Sequence, residues 1–86
     1  MNQFGEKLRA LRKKRGYTLK ELGEMLGVHH TFVSQLEMSK SIPNAAMILK
    51  IADLFGVSTD LLMRDELALE DQAWTLKTIF LSFDGT

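Results

Sequence analysis

The sequence contains no cysteine, a single proline and no long apolar run. The absence of cysteine excludes a disulfide framework, a cysteine-ligated zinc site and a thiol nucleophile, and it is compatible with a reducing compartment. No apolar run approaches the roughly 18 residues that a membrane-spanning helix needs, and no secretory signal pattern opens the chain. We therefore expect a soluble protein of the cytoplasm.

What remains is the composition of one small globular domain. The 86 residues are 45% hydrophobic and 26% charged, which is ordinary for a folded domain and argues against wholesale disorder. A domain of this size has a thin core, so association with a second copy is a common way to bury more surface.

The net charge of zero conceals a division of charge along the chain. Residues 1–64 carry ten Lys or Arg and six Asp or Glu, whereas residues 65–86 carry one Lys and five acids. Such asymmetry indicates two roles if the basic part also contains a binding element. We therefore divide the chain into a candidate binding domain, residues 1–64, and an acidic extension, residues 65–86.

Hydrophobic periodicity predicts five short helices, and no strand pattern occurs before residue 77. Helix starts and stops are marked by capping residues, including a capping box formed by Thr18 and Glu21. The predicted helix ends are Gly16, Gly27 and Gly56, and the predicted N-caps are Thr18, Asn44 and Ser58. The fold class is therefore all-α.

Two of these helices, residues 18–26 and about 30–38, are joined by a short glycine-containing turn, which is the helix-turn-helix pattern. Gly23 inside the first helix costs roughly 1 kcal/mol relative to alanine, which indicates that the next helix crosses too closely for a side chain. The second helix has a face without aliphatic or acidic side chains, made up of His30, Thr31, Ser34 and Gln35. An ordinary helical hairpin would give the same pattern, so the pattern alone leaves the function open.

The sequence offers no constellation for catalysis or metal binding. His29 and His30 point about 100° apart on a helix, and no further His or Cys completes a metal site. There is no nucleophile–base pair and no glycine-rich phosphate loop. We predict no catalytic residue, no metal, no cofactor and no small-molecule substrate, and hence not an enzyme.

A series of ordered motifs runs through residues 3–63. They are Leu8-Arg9-Ala10-Leu11-Arg12, Gly16-Tyr17-Thr18, Glu21-Leu22, Leu26-Gly27-Val28, Val33-Ser34-Gln35-Leu36-Glu37, Pro43 and Ile51-Ala52-Asp53-Leu54-Phe55-Gly56-Val57-Ser58. This series resembles the lambda repressor and Cro-like helix-turn-helix family, also called the xenobiotic-response-element type. The resemblance implies a five-helix DNA-binding domain that acts as a dimer on a near-palindromic operator.

The resemblance also implies which residues touch DNA. Helix 30–38 would enter the major groove, with base contacts from His30, Thr31 and Gln35. Gln35 can pair with adenine N6 and N7, Thr31 can donate or accept a hydrogen bond, and His30 can donate to guanine. His29 takes a capping position and is expected to start the helix. The phosphate contacts, which read no sequence, would come from Ser34, Lys20, Lys40, Ser41 and Asn44.

One ion pair and three departures from the family pattern complete this comparison. Arg12 and Glu37 match a pair that joins the first helix to the end of the third, so we predict a structural role for them. Leu19 replaces the usual glutamine and cannot brace a phosphate through its side chain. Met38 and Ser39 replace the usual polar residue and loop glycine.

The acidic extension carries an apolar stripe. Its members are spaced four and three residues apart, as in a heptad repeat, and are Leu69, Ala73, Leu76, Phe80 and Phe83. We predict a sixth helix that pairs with its copy in a homodimer. Packing back onto the five-helix core and strand pairing through residues 78–83 are the alternatives.

The sequence therefore predicts a sequence-specific transcriptional regulator, a repressor, that binds double-stranded DNA as a homodimer. The alternative is a protein-interaction module, such as an antitoxin or adaptor, that grips a protein partner through its extension. Leu19 and the neutral overall charge favour this alternative, whereas Gln35 and the basic first 64 residues favour DNA.

Overall fold

The computed structural model describes residues 3–65. Within this range the chain forms five helices and no strand: α1 Phe4–Arg15, α2 Leu19–Leu26, α3 His30–Glu37, α4 Ala45–Phe55 and α5 Thr59–Met63. The predicted five-helix, all-α arrangement is confirmed, with α3 ending one residue earlier than expected. The predicted sixth helix and the alternative strand lie outside the described residues.

The helices enclose one apolar core. α1 packs against α3 and α5, and α2 packs against α3 and α4. The fully buried side chains are Leu8, Leu22, Leu26, Val33, Leu36, Ile51, Leu61 and Leu62. Every helix contributes to this set, so each one is held by the burial of its apolar face.

The helix ends follow the local signals in the sequence. The Thr18 hydroxyl accepts the Glu21 N–H at 3.0 Å, and the Thr18 N–H donates to the Glu21 carboxylate at 2.8 Å, so the predicted capping box is present. Asn44 and Ser58 cap α4 and α5 through their side-chain oxygens. α1, α2 and α4 each end at a glycine with positive φ: Gly16, Gly27 and Gly56.

Gly23 has the close neighbour that its position inside α2 predicts. A Cβ at Gly23 would lie 2.7 Å from the Val28 carbonyl oxygen and 3.2 Å from the His30 backbone nitrogen. The close approach is therefore made by the turn and the first residue of α3, rather than by the body of a crossing helix. This contact fixes where α3 begins relative to α2.

Three basic side chains donate to carbonyl groups at the C-terminal ends of helices other than their own. A cation there satisfies carbonyls without an intrahelical partner and complements the helix dipole. The acceptors are the carbonyl oxygens of Leu61 and Arg64 for Lys7, of Phe55 for Arg15, and of Leu26 for Lys50. Part of the positive charge of residues 1–64 is thus used inside the fold.

Candidate nucleic-acid interface

α3 has one buried face and one polar face. Val33 and Leu36 are fully buried, which fixes the rotation of the helix about its axis. On the other side His30 and Thr31 are exposed, while Ser34 and Gln35 are half-buried. We call His30, Thr31, Ser34 and Gln35 the reading face, after the base contacts that the resemblance predicts for three of them. The fold therefore brings together, on one accessible surface, all three predicted base contacts.

The start of α3 is held by His29. Its Nδ1 accepts the backbone N–H of Thr31 at 3.1 Å and lies 3.0 Å from the Thr31 hydroxyl oxygen. The His29 and His30 rings lie with their centroids 4.2 Å apart. His29 therefore caps the helix, as expected from its position, and it also contacts one of the reading side chains.

Gln35 is positioned by the loop that follows α3. The Ser41 hydroxyl donates to Gln35 Oε1 at 3.1 Å. This bond orients the amide group and leaves its NH₂ donors, and one further lone pair on Oε1, for a base. Because the Ser41 hydrogen is directed at Gln35, that hydroxyl cannot also donate to a phosphate while the bond is intact.

The other predicted phosphate contacts lie around the reading face. Lys20 on α2 and Lys40 after α3 are exposed, and within residues 3–65 neither side chain has a hydrogen bond or ion pair. Asn44 uses its side-chain oxygen to accept the Met47 N–H at 2.8 Å, so only its NH₂ group remains as a donor. These side chains are available for the predicted contacts with phosphates beside α3.

Sequence reasoning did not select Arg9, which borders a crevice of about 210 Å³ beside the reading face. Arg9 is exposed and, within the described part of the chain, has no hydrogen bond or ion pair. Its position on α1 gave no signal, because only the tertiary fold brings α1 next to α2 and α3. The crevice is lined by Arg9, Arg12, Leu19, Ser34, Glu37 and Met38.

Leu19 in that crevice is half-buried and packs against the apolar core. Its side chain is therefore partly used in the fold rather than presented as a free apolar surface. The cation that borders the same crevice is Arg9, so positive charge lies close to the place where the family pattern has glutamine.

Arg12 and Glu37 form a bidentate ion pair between α1 and the last residue of α3. Arg12 Nε lies 2.6 Å from Glu37 Oε2, and Nη2 lies 3.1 Å from Oε1. The Arg12 guanidinium also donates to the Tyr17 carbonyl at 2.9 Å. The side chains are 13% and 6% exposed, so the acid next to the reading face is neutralised and largely shielded.

Residues 3–65 contain no group of three or more His, Asp or Glu side chains that could hold a metal ion. None of the helices in this range is long and apolar enough to cross a membrane. The predicted dimer-interface residues Leu69, Ala73, Leu76, Phe80 and Phe83 lie outside the described residues.

Two short helices at a tight turn, the second with a polar accessible face, define a helix-turn-helix domain of the lambda repressor and Cro-like class. Residues 8–62 match the helix-turn-helix family, and the chain belongs to that family. The resemblance and the fold class predicted from the sequence are thereby confirmed.

Similar proteins include regulators of bacteria and phage. The HTH-type transcriptional regulator ImmR of Bacillus subtilis is 36% identical over 78 residues, which are 88% of this chain and 61% of that protein. The uncharacterized HTH-type transcriptional regulator YazB of the same organism is 33% identical over 57 residues, 66% of this chain and 83% of YazB.

A solved structure with the same fold is the crystal structure of the P22 c2 repressor in complex with a synthetic operator. It superposes with a TM-score of 0.69 at 35% identity, over 73% of this chain and 96% of that chain. The chain thus spans nearly all of that DNA-bound domain but about three fifths of ImmR.

Proposed function

We propose that this protein is a transcriptional regulator, a repressor, that binds double-stranded DNA sequence-specifically through α3 in the major groove. His30, Thr31 and Gln35 contact base edges, and Lys20, Lys40, Asn44 and Ser34 lie along the backbone. Its action is in the cytoplasm, where bacterial and phage DNA is found. The relatives named above are regulators rather than enzymes, which supports a role in binding without catalysis.

The polar, accessible face of α3 is the observation that carries this proposal. The outer face of any bundle helix is polar, so the weight lies in its chemistry: the four side chains can all form hydrogen bonds, and none is an acid that would repel phosphates. Side-chain amides, hydroxyls and imidazoles are the groups that read base edges in the major groove. The pairing of Glu37 with Arg12 supports the proposal, because an unpaired carboxylate there would repel phosphates.

Arg9 adds a phosphate contact to this proposal. It borders the crevice at the start of α2, where Leu19 cannot donate a side-chain hydrogen bond. The Thr18 N–H is occupied by Glu21, whereas the backbone N–H groups of Leu19 and Lys20 lie at the positive end of α2. Arg9, Lys20 and these amides would hold one stretch of backbone together.

We propose a homodimer on a near-palindromic operator, with half-sites about one helical turn apart. The acidic extension, with its apolar stripe, is the proposed dimer interface. Homodimerisation would double the number of contacts and let two weakly binding domains act together on one operator.

The alternative is a protein-interaction module. One support is Leu19, which cannot brace a phosphate through its side chain; because Leu19 is partly used in the core and Arg9 borders the same crevice, it gives little reason to expect a protein partner there. What remains in its favour is the neutral overall charge. We therefore favour DNA as the partner.

Selection from a pool of random duplexes at low salt tests the proposed function. The full chain is expected to enrich one sequence motif with two related half-sites. Enrichment of a single half-site would support DNA reading and count against the dimer. Binding that enriches no sequence and only weakens as salt is added would refute the proposal.

A further inference from the structure

The N-cap of α3 is His29, and its ring nitrogen Nδ1 makes two contacts with Thr31. N-caps are most often Ser, Thr, Asp or Asn, which cap a helix through an oxygen atom. Here His29 Nδ1 accepts the Thr31 N–H at 3.1 Å and also lies 3.0 Å from Thr31 Oγ1. The cap of the helix and a side chain of the reading face are therefore coupled through one nitrogen atom.

The backbone contact determines which partner donates in the side-chain contact. A nitrogen that accepts an N–H carries no hydrogen of its own, so we assign to His29 the tautomer with the hydrogen on Nε2. In that tautomer the Thr31 hydroxyl is the donor of the side-chain contact and shares the one Nδ1 lone pair with the backbone N–H. With its hydrogen directed at His29, the hydroxyl presents only lone pairs to a ligand.

We propose that His29 is a positioning residue that makes Thr31 a hydrogen-bond acceptor toward DNA, and so sets the base that Thr31 selects. In the major groove the donors are the amino groups of adenine N6 and cytosine N4, whereas thymine O4 and guanine O6 and N7 accept. Thr31 therefore selects adenine or cytosine at the base edge it faces. This inference rests on the proposed function, since it requires α3 to read DNA.

Two contacts restrain the His29 ring, which is itself exposed. The His30 ring lies against it, with centroids 4.2 Å apart and planes 32° from parallel. The capping bond holds Nδ1 toward the helix. An unrestrained threonine hydroxyl rotates to suit either a donor or an acceptor, so this restraint changes a permissive side chain into a selective one.

The test uses the duplex that the full chain selects from a random pool. The variant Thr31→Val keeps the side-chain shape and removes the hydroxyl, so the base pair whose preference changes is the one that Thr31 faces. At that pair the wild-type protein is expected to bind about three- to tenfold more tightly when the adenine or cytosine is on the strand that Thr31 contacts than when the pair is reversed. Deleting the exocyclic amino group from the preferred base should cost the wild type a similar factor and Thr31→Val nothing.

Two variants of His29 separate positioning from simple capping. His29→Ala removes the acceptor, so Thr31 can again donate, and the preference at its pair should fall to about twofold or less. His29→Asn supplies a carbonyl oxygen that caps the helix and accepts from the hydroxyl, so the preference should be retained. The preference at the pair read by Gln35 is the internal control, and circular dichroism verifies that each variant is folded.

The possible outcomes distinguish the inference from the function on which it rests. Unchanged affinity when the adenine N6 or cytosine N4 amino group is deleted at the Thr31 pair, or an equal loss of affinity for all four bases in His29→Ala, overturns the inference while other positions stay selective. The measurement with the modified base needs no His29 variant, so it decides the polarity of Thr31 even if His29→Ala does not fold. Absence of selectivity at every position overturns the proposed function and the inference together.

Discussion

At the scale of single residues, the reading face is held by hydrogen bonds from outside it. Ser41 donates to Gln35, and His29 holds Thr31. Helical periodicity is enough to predict that Gln35 and Thr31 share a face, and the family resemblance supplies their expected roles, which stay predictions. Neither hydrogen bond could be predicted, because each depends on a loop path or a rotamer that residue spacing does not determine.

The ion pair between Arg12 and Glu37 is expected to contribute to stability. In Glu37→Gln the Arg12 guanidinium loses its counter-charge in a site where the two side chains of the pair are only 13% and 6% exposed. Leaving a largely buried charge unpaired should lower the free energy of unfolding by about 2–3 kcal/mol, measured by urea denaturation.

The control for that prediction is the surface pair of Arg64 and Asp60. Its atoms are 3.9 Å apart, with side chains 60% and 69% exposed. Asp60→Asn should therefore change the free energy of unfolding by about 0.5 kcal/mol or less. If both variants lose the same stability, the Arg12–Glu37 pair has no special structural role.

At the scale of helices, α3 ends with the same pair of hydrogen bonds as α1 and α2, but its left-handed residue is a serine instead of a glycine. The Ser39 N–H donates to the Leu36 carbonyl and the Lys40 N–H to the Gln35 carbonyl, which together make a Schellman motif. Ser39 has φ of 60°, a left-handed conformation that favours glycine. Ser39, which stands where the family pattern has a loop glycine, therefore strains the backbone at the end of α3.

Replacing that serine should relieve the strain. We expect Ser39→Gly to raise the free energy of unfolding by about 0.5–1 kcal/mol, because the left-handed cost exceeds the added chain entropy of glycine. Thermal unfolding followed by circular dichroism should show a Tm increase of about 2–8 °C.

Lys40→Gly is the matched control, since it adds the same backbone freedom at the next residue, where φ is not positive. That variant should lower Tm. Ser39→Gly lowering Tm by the same amount would contradict the strain at Ser39.

The helices and their caps could be predicted because their determinants are local. The capping box of Thr18 and Glu21 lies within four residues, and so does the bond from the Met47 N–H to Asn44. By contrast, the bond from Lys7 to the end of α5 spans 54 residues. Nothing in the sequence distinguishes such a lysine from one that faces solvent.

At the scale of the whole molecule, only part of the positive charge of residues 1–64 is available to bind phosphates. Five of the ten basic residues in residues 1–64 contact protein groups: Lys7, Arg12, Arg15, Lys50 and Arg64. Within residues 3–65 the basic side chains without a protein partner are Arg9, Lys13, Lys14, Lys20 and Lys40, of which Arg9, Lys20 and Lys40 belong to the proposed interface. Affinity for DNA should therefore depend on few phosphate contacts per domain and more on the reading face.

The salt dependence of binding measures the contribution of Arg9. In Arg9→Gln the slope of log K against log salt should become less negative by about 0.9, the value for one lost phosphate contact on B-DNA. Affinity should fall equally for the selected and the scrambled duplex, because a phosphate contact reads no sequence.

Lys14→Gln removes the same charge from the same helix and is the matched control. Lys14 lies five positions beyond Arg9, on another side of α1, and is not among the residues that line the crevice. For Lys14→Gln the slope of log K against log salt should match that of the wild-type protein. Equal slopes for both variants would remove Arg9 from the proposed interface.

The central claim is that the face of α3 reads base sequence, and Gln35 tests it most directly. Equilibrium binding of wild type and Gln35→Ala is measured on the selected duplex and on duplexes that change one base pair at a time. We predict that Gln35→Ala loses discrimination at one pair in each half-site, by about 1–3 kcal/mol, and keeps it elsewhere. Unchanged discrimination at every pair would contradict the claim.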